Sequence, residues 1–176
     1  MIQTERLVLR AWRDTDRADF AALNADPRVG NWLGGTLDRA ASDAMIDRIN
    51  ASIAANGFGF WAAERRSDGQ LVGAIGIRRL EEAPGPGIEA GWRLAHAAWG
   101  QGYATEGARA ALDWGLAHIE TPEILAFTAA SNLASQAVMR RIGMVPDPSR
   151  DFDHPRLAPD HPLNRHVMFT TRAPSL

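Results

Sequence analysis

The hydrophobic pattern of the first third of the chain indicates one short strand followed by two helices. An apolar run over 7–9 predicts the strand, and the acidic stretch 14–16 is typical of the start of a helix, which ends near Asn24. Thr36 is the predicted N-terminal cap of the second helix, which ends near Asn56. The apolar residues of that helix recur at helical spacing: Met45, Ile46, Ile49 and Ile53.

Three strands are predicted next, over 58–64, 71–78 and 88–94. The sequence between the first two, over 67–70, is typical of a hairpin turn. Side chains alternate along the third strand, which gives it one apolar face and one face available for chemistry. The apolar face carries Ile88, Ala90, Trp92 and Leu94, and the other face carries Glu89, Gly91 and Arg93.

The second half of the chain begins with its most regular helical pattern. Mostly small residues recur there at helical spacing, which indicates close approach to a sheet: Ala104, Ala108, Ala111, Leu112, Gly115, Leu116 and Ile119. A buried strand is predicted over 124–128, a helix over 133–142 that ends at Gly143, and a final strand over 166–171. This order of elements predicts a mixed sheet in an α/β or α+β layer fold.

Composition and charge exclude several classes of function. The 176 residues fit one domain, which we expect over 1–176, with a core at about 4–144 and a loop-rich C-terminal segment over 145–176 that holds the final strand. A net charge of -2 gives no basic footprint for nucleic acid. The absence of cysteine excludes a disulfide framework, a thiol nucleophile and thiolate metal sites. Because we find neither a secretory signal nor a membrane-spanning stretch, we expect a cytoplasmic protein that contacts no membrane.

A glycine-rich turn before the regular helix is the strongest chemical signal. Gly100 and Gly102 leave the backbone open to a bulky anion, and the first amides of the following helix lack intrahelical acceptors. With the helix dipole, these amides suit a pyrophosphate group. A dinucleotide fingerprint would need a third glycine where Thr105 stands, and no phosphate-loop motif is present. An ordinary strand-to-helix turn is the alternative.

Four motifs in this order resemble the acetyl-CoA core of the GNAT superfamily: Glu89–Leu94, Trp99–Glu106, Asn132–Ser135 and Arg141–Met144. The opening sequence over 4–10 is similar to the branch that contains the RimJ and RimL ribosomal-protein acetyltransferases. The resemblance covers about 4–144. It implies a mixed, mostly antiparallel sheet of about six to seven strands, flanked by about four helices and splayed at a wedge that binds acetyl-CoA.

The resemblance also implies an activity and a set of binding residues. The activity is an N-acetyltransferase that uses acetyl-CoA as co-substrate and acetylates a primary amine by direct transfer in a ternary complex. Backbone groups near the wedge would bind the pantetheine arm and the thioester, and the amides of the turn would bind the pyrophosphate. The implied cofactor-binding residues are Trp92, Arg93, Leu94, Gly100, Gly102, Tyr103, Ala104, Thr105, Asn132 and Ser135.

Two residues are candidates for proton transfer. Glu89 is the candidate base for the amine proton, with a solvated strand carboxylate as the alternative. Ser135 is the candidate acid for the leaving thiolate, with a hydroxyl at a helix start and no proton role as the alternative. Many GNAT enzymes use a tyrosine as this acid, but Met139 stands at that position and Tyr103, the only tyrosine, belongs to the turn. A backbone amide near Leu94 is the candidate donor to the thioester oxygen.

The acceptor is predicted to be a small-molecule or peptide amine. Trp32, Asp153 and His154 are the candidate substrate residues. The alternatives are packing for the tryptophan and local turn hydrogen bonds for the other two. The histidines near the C-terminus lack metal-ligand spacing, so we expect no metal. A monomer and a homodimer both fit. The alternative function is a non-catalytic acyl-CoA-binding sensor or scaffold, which would bind acetyl-CoA without acceptor-dependent thiol release.

Overall fold

A computed structural model describes residues 1–81 and 84–171. Residues 82–83 and the last five residues of the predicted C-terminal segment 145–176 lie outside the described part of the chain. The strands are β1 (Ile2–Gln3), β2 (Leu7–Arg10), β3 (Phe60–Arg65), β4 (Leu71–Leu80), β5 (Gly87–Leu94), β6 (Leu125–Ala129), β7 (Val145–Pro146), β8 (Phe152–Asp153) and β9 (Arg165–Thr170). The helices are α1 (Arg17–Ala25), α2 (Pro27–Gly30), α3 (Arg39–Asn56), α4 (Tyr103–His118) and α5 (Leu133–Arg141).

The strands form one mixed sheet in the order β1-β2-β3-β4-β5-β6-β9-β7, and β8 pairs with β9. Every pairing is antiparallel except that of β5 with β6. The predicted α/β (α+β) class and the mostly antiparallel sheet are confirmed, as is the hairpin at 67–70, where the Arg65 N–H donates to the Gln70 carbonyl at 2.8 Å. The described residues contain nine strands and five helices, somewhat more than expected. The additional strands are pairs of residues, too short to show a period.

The two faces of the sheet carry separate hydrophobic clusters. Helices α4 and α5 cover one face, where the apolar side chains of β5 belong to the larger cluster. Residues of α1, α2 and α3 form the smaller cluster on the other face. A Cβ atom at Gly107 or Gly115 would come within 2.6 Å or 2.8 Å of isoleucine side chains, so these glycines let α4 approach the sheet closely. No helix in the described ranges is long and apolar enough to span a membrane.

Two details of the helices differ from the sequence predictions. Asp38, not Thr36, caps α3, because its carboxylate accepts the Ala41 N–H at 2.8 Å. Leu116 was expected on the packing side of α4 but is 49% exposed. The helix instead packs through its glycine and alanine positions, which places Leu116 beyond the edge of the contact.

Candidate functional site

Strands β5 and β6 meet at one point and then separate. Their only parallel pairing within the described residues joins Glu89 to Leu125. Strand β5 continues to Leu94 and β6 continues to Ala129 without further pairing between them. The sheet therefore opens into a wedge whose closed end lies at Glu89 and whose open end lies at the carboxyl ends of both strands.

Backbone groups of β5 point into this wedge. The Ala95 N–H donates to the Val72 carbonyl at 2.9 Å, on the side of β4. Because backbone groups of successive strand residues alternate in direction, those of Leu94 and Trp92 face the wedge, whereas those of Arg93 face β4. The Trp99 indole donates to the Leu94 carbonyl at 2.9 Å, which fixes this peptide and leaves the Leu94 N–H as the group available to a ligand.

The glycine turn forms the N-terminus of α4, next to the open end of the wedge. Gly100 and Gly102 have φ values of 73° and 83°, which L-residues with side chains rarely adopt. Gly102 is the N-cap and has no side chain, so no protein group caps the first amides from that position. The first intrahelical bond is from Glu106 N–H to the Gly102 carbonyl, and the preceding amides of 103–105 are left for an anion.

Arg6 and Glu106 hold this turn against the N-terminal segment. The Arg6 Nε donates to the Glu106 carboxylate at 2.6 Å, and an Arg6 Nη donates to the Gln101 carbonyl at 2.9 Å. The same carboxylate accepts the Thr4 hydroxyl at 2.6 Å and the Arg6 N–H at 2.7 Å. The guanidinium also lies 4.7 Å from the Tyr103 ring centroid. The turn therefore carries the Arg6 guanidinium, paired with Glu106, beside its free amides.

Replacing Glu106 by Gln is expected to loosen this turn. Burial of Glu106 acts to raise its pKa, but the hydrogen bonds from Thr4 and Arg6 outweigh it, and the pKa is lowered. A lowered pKa contributes stability above the unfolded-state pKa, and this stability is lost as pH falls through the folded-state pKa. Arg6 is 44% exposed, so screening keeps the expected loss at pH 7 to about 1 kcal/mol. We also expect the Kd for acetyl-CoA to rise about fivefold, the equivalent of about 1 kcal/mol.

Thermal unfolding at pH 7 and pH 3, together with calorimetric titration, checks this prediction, and Glu5→Gln is the matched control. Glu5 is a neighbouring exposed glutamate whose side chain makes no hydrogen bond within the described residues. If Glu106→Gln had wild-type stability and wild-type affinity for acetyl-CoA at pH 7, the clamp formed by Arg6 and Glu106 would not hold the turn.

Glu89 is buried at the closed end of the wedge, on the sheet face opposite α4. It is 7% exposed, so the alternative of a solvated strand carboxylate is wrong. Arg78 lies opposite it in the β4–β5 register and donates its Nε–H to Glu89 Oε2 at 2.5 Å. Burial raises the pKa of the Glu89 carboxyl, and the charge and hydrogen bond of Arg78 only partly offset this effect. Glu89 is thus a carboxylate whose proton affinity is increased.

The Phe60 ring covers strand β5 next to Glu89. Gly91 has no side chain, and a Cβ atom there would lie 2.9 Å from the Phe60 ring and 3.9 Å from Glu89 Oε1. Arg93 is next on the same face and donates to Asn24 Oδ1 at 2.6 Å. This face therefore presents a carboxylate, an aromatic ring and a guanidinium in a row.

The start of α5 holds the predicted residues of the pantetheine side. Asn132 is 7% exposed, and its Oδ1 accepts the Ser135 N–H at 3.2 Å, which caps the helix. Its amide NH2 group donates no hydrogen bond within the described residues, so it has donors to offer. Ser135 is half-buried, and Met139 is buried in the core at 2% exposure. Met139 therefore supplies packing and no proton.

The three predicted substrate residues lie further out. Trp32 is 38% exposed, after α2. Asp153 forms an ion pair with Arg165 at 3.4 Å, and His154 Nδ1 accepts the Arg156 N–H at 3.3 Å, the local turn bond expected as the alternative. A groove of about 540 Å³ runs from the closed end of the wedge along this segment, lined by Pro84, Gly85, Pro86, Leu125, Arg150, Phe152, Asp153, Pro155 and Met168. The substrate roles of these residues stay predictions.

Burial lowers the pKa of both His154 and His166, whose ring centroids lie 5.1 Å apart. The charges of His166 and Arg156 also act to lower the pKa of His154. Among the residues that the structure describes, no group of three or more His, Cys, Asp or Glu side chains is arranged to hold a metal ion.

Three contributions to the site were not predicted from sequence: Arg6, Glu106 and Arg78. The first two lie 100 residues apart, and no local pattern connects them. Arg78 had a signal that could have been used, because the length of the β4–β5 connection sets the register that places it opposite Glu89.

Comparisons with known proteins agree with this geometry. The chain matches the family described as an acetyltransferase (GNAT) domain over residues 6–145. The uncharacterized protein YkkB of Bacillus subtilis is 32% identical over 142 residues, which are 80% of this chain and 83% of that protein. The FsC-acetyl coenzyme A-N(2)-transacetylase of Aspergillus fumigatus is 30% identical over 152 residues, covering 81% of this chain and 64% of that protein.

Solved structures have the same fold. An acetyltransferase from Agrobacterium tumefaciens superposes with a TM-score of 0.78 at 27% identity, covering 98% of this chain and 94% of that one. The spermidine N-acetyltransferase of Vibrio cholerae, in complex with CoA and spermine, gives a TM-score of 0.72 at 16% identity and 95% coverage of both chains. At that identity the likeness concerns the fold alone.

Proposed function

The chain belongs to the GNAT acetyltransferase family, and we propose that it moves an acetyl group from acetyl-CoA to a primary amine by direct transfer in a ternary complex. It is an acyltransferase, and the family uses acetyl-CoA as co-substrate. The observation that carries the proposal is the wedge between β5 and β6, with the uncapped N-terminus of α4 beside its open end and the buried Glu89 at its closed end.

The chain's own residues fit the co-substrate. Gly100 and Gly102 leave the backbone bare where a pyrophosphate would approach. The amides of 103–105 supply donors at the positive end of the helix dipole, and the Arg6 guanidinium lies beside them. The NH2 group of Asn132 and the wedge-facing amides of Trp92 and Leu94 are the groups we assign to the pantetheine arm and the thioester. Arg93 offers no side chain to acetyl-CoA, because its side chain lies on the opposite face of the sheet, and it contributes only as part of the backbone of β5.

Acetyl-CoA supplies an activated acetyl thioester, and the protein must manage two protons and one developing charge. Glu89 draws the proton from the amine, because its raised pKa makes it a better proton acceptor near neutral pH than an exposed carboxylate. Arg78 holds Oε2, which leaves Oε1 toward Gly91 as the oxygen that accepts. The Leu94 N–H donates to the thioester oxygen, where one donor is worth about 3 kcal/mol. Ser135 returns a proton to the thiolate.

The acceptor class and the branch are the finer parts of the proposal. The motifs at 4–10 and 99–106 support the RimJ and RimL branch, whose acceptors are protein amino termini. The fold shared with a spermidine N-acetyltransferase of Vibrio cholerae is compatible with the alternative, a small amine. Both are primary amines, and both require a neutral nitrogen at the closed end of the wedge.

Two measurements on the wild-type protein test the function. Calorimetric titration of acetyl-CoA should give saturable binding, and a thiol-detecting reagent should report CoA release that depends on added amine. Binding without release for a broad amine panel would indicate the non-catalytic sensor instead. If acetyl-CoA did not bind, both functions would be contradicted, and the glycine turn would have only a structural role.

A further inference from the structure

Among the residues that the structure describes, Arg93 is a cation without an ionic partner. Its side chain lies with Glu89 on the sheet face opposite α4, which we call the acceptor face. Its Nη1 donates to Asn24 Oδ1 at 2.6 Å and contacts Met45 Sδ at 3.6 Å. No carboxylate of residues 1–81 or 84–171 forms an ion pair with it, although most other arginines of those ranges are paired. Its Nε and Nη2 donate no hydrogen bond within these ranges. The guanidinium therefore has free donors and an uncompensated charge.

The surroundings of Arg93 make this charge costly. Burial, together with a smaller effect of the nearby charge of Arg78, lowers the pKa of Arg93 to about 10. The side chain remains protonated at neutral pH, so it is a desolvated cation that gains from a counter-charge. Asn24 does not supply one. Its amide donates to the buried Ser42 hydroxyl at 2.9 Å, which orients Oδ1 toward Arg93 as a neutral acceptor.

The position of Arg93 connects it to the proposed reaction. It lies on the same face of β5 as Glu89, four residues along the strand, or about 13 Å between Cα atoms. Between them the Phe60 ring lies over Gly91 and forms the floor of this part of the face, and Glu89 Oε1 lies toward the same position. Since Arg78 and Glu89 neutralise each other, the three charged side chains leave one excess positive charge on the acceptor face.

We propose that Arg93 binds a carboxylate of the acceptor, and that the acceptor is a primary amine that also carries a carboxylate, as an amino acid does. This inference rests on the proposed acetyl transfer. A guanidinium binds a carboxylate through two parallel hydrogen bonds, which would use the free donors of Arg93 while the amine lies toward Glu89. A polyamine would instead place further positive charge beside Arg93.

The test compares acceptors that differ only in the carboxylate. Thiol release is measured with a panel of L-amino acids, with the corresponding amino acid amides, and with spermidine. For the best acceptor, we expect kcat/KM of the acid to exceed that of its amide by at least about tenfold. In Arg93→Gln this acid-to-amide ratio should fall to about 2 or less. Amides or spermidine as the better wild-type substrates would overturn the proposal while leaving acetyl transfer intact.

Two further variants separate recognition from a structural role. Asn24→Asp places a carboxylate beside the retained guanidinium, and the Ser42 hydroxyl is able to donate to it. This variant should lower the acid-to-amide ratio as Arg93→Gln does. Arg79→Gln removes an exposed arginine from the opposite face of β4 and should keep the wild-type ratio. A fall of acid and amide turnover by the same factor in Arg93→Gln and Asn24→Asp would make Arg93 structural and overturn the proposal.

A binding measurement covers the case in which no amine is turned over. The amino acid panel is titrated into the protein saturated with CoA, and the same panel is titrated into Arg93→Gln. Binding of an acid that the variant loses by at least about tenfold supports the proposal even without turnover. Failure of every acid to bind the CoA-loaded protein overturns it, whereas failure of acetyl-CoA itself to bind would overturn the proposed function.

Discussion

Glu89→Gln is expected to lower kcat for acetyl transfer by about 100- to 10,000-fold, the range for loss of a positioned general base. Glutamine has the same shape and still accepts the Arg78 hydrogen bond, so the wedge should keep its geometry. We therefore expect the Kd for acetyl-CoA to change by less than about twofold, because the proposed contacts with acetyl-CoA lie at the other end of the wedge. Steady-state kinetics with thiol detection and calorimetric titration measure the two quantities.

The pH dependence makes this prediction specific. The Glu89 carboxylate must be deprotonated to accept a proton, and burial raises its pKa. Wild-type kcat should therefore rise with pH through a pKa above the ordinary glutamate value of about 4.3, and Glu89→Gln should lack this limb. If the rise of kcat with pH persists in Glu89→Gln, it arises from the acceptor amine, and Glu89 is not the base.

Stability should move in the opposite direction to activity. A folded-state pKa above the unfolded-state value gives stability that is present below the unfolded-state pKa and is lost as pH rises through the folded-state pKa. At pH 7 the ionised Glu89 therefore opposes folding, and Glu89→Gln should unfold at the same temperature as the wild type or higher.

Glu64→Gln is the matched control, because Glu64 is also a strand carboxylate paired with an arginine, Arg10, at 2.7 Å. That variant should lose stability and keep kcat. Equal losses of kcat in both variants would contradict the prediction.

The elements whose pattern of apolar residues repeats over several turns or alternations could be predicted from sequence. Helices α3 and α4 and strands β3, β4 and β5 were expected within a few residues of their observed bounds, because each repeats an apolar pattern for several turns or alternations. The exposed Leu116 shows where this reasoning fails. A period identifies a stripe on a helix, but the width of the opposing sheet decides how much of the stripe is covered.

The candidate site was predictable only where its residues are close in sequence. The turn with Gly100 and Gly102 is a local signal, since positive φ values at a helix start demand glycine. The clamp between Arg6 and Glu106 and the direction of the Arg93 side chain depend on which distant segments the fold brings together. Such contacts follow from the topology and the strand register, which the hydrophobic pattern of a single element does not determine.

Gly102→Glu is expected to raise the Kd for acetyl-CoA by at least about 100-fold, or about 2.8 kcal/mol. The new carboxylate lies at the N-cap of α4, beside the Arg6 guanidinium, where both the helix dipole and Arg6 attract it. It would occupy the donors that the pyrophosphate needs and repel the phosphates as well. Calorimetric titration of acetyl-CoA measures the effect, and circular dichroism checks that the variant is folded.

Backbone strain must be separated from the loss of the anion site. Gly102 has a φ of 83°, and any L-residue placed there costs about 1–2 kcal/mol. Gly57, the C-cap of α3, has a φ of 78° and open space around its Cβ position, so Gly57→Glu carries the same strain and the same charge before the end of β3 that points away from the glycine turn. It should lose comparable stability and keep the wild-type Kd.

Gly102→Ala completes the comparison, because it imposes the strain at the turn without the charge. A Cβ atom at this position lies 3.3 Å from an Arg6 Nη, a contact that a small shift of the guanidinium relieves. We expect the Kd of this variant to lie between those of the wild type and Gly102→Glu. If alanine and glutamate weakened binding equally, the shape of the turn alone would account for the loss. If neither weakened it, the pyrophosphate would have to bind elsewhere, and the wedge would lose its assignment as the acetyl-CoA site.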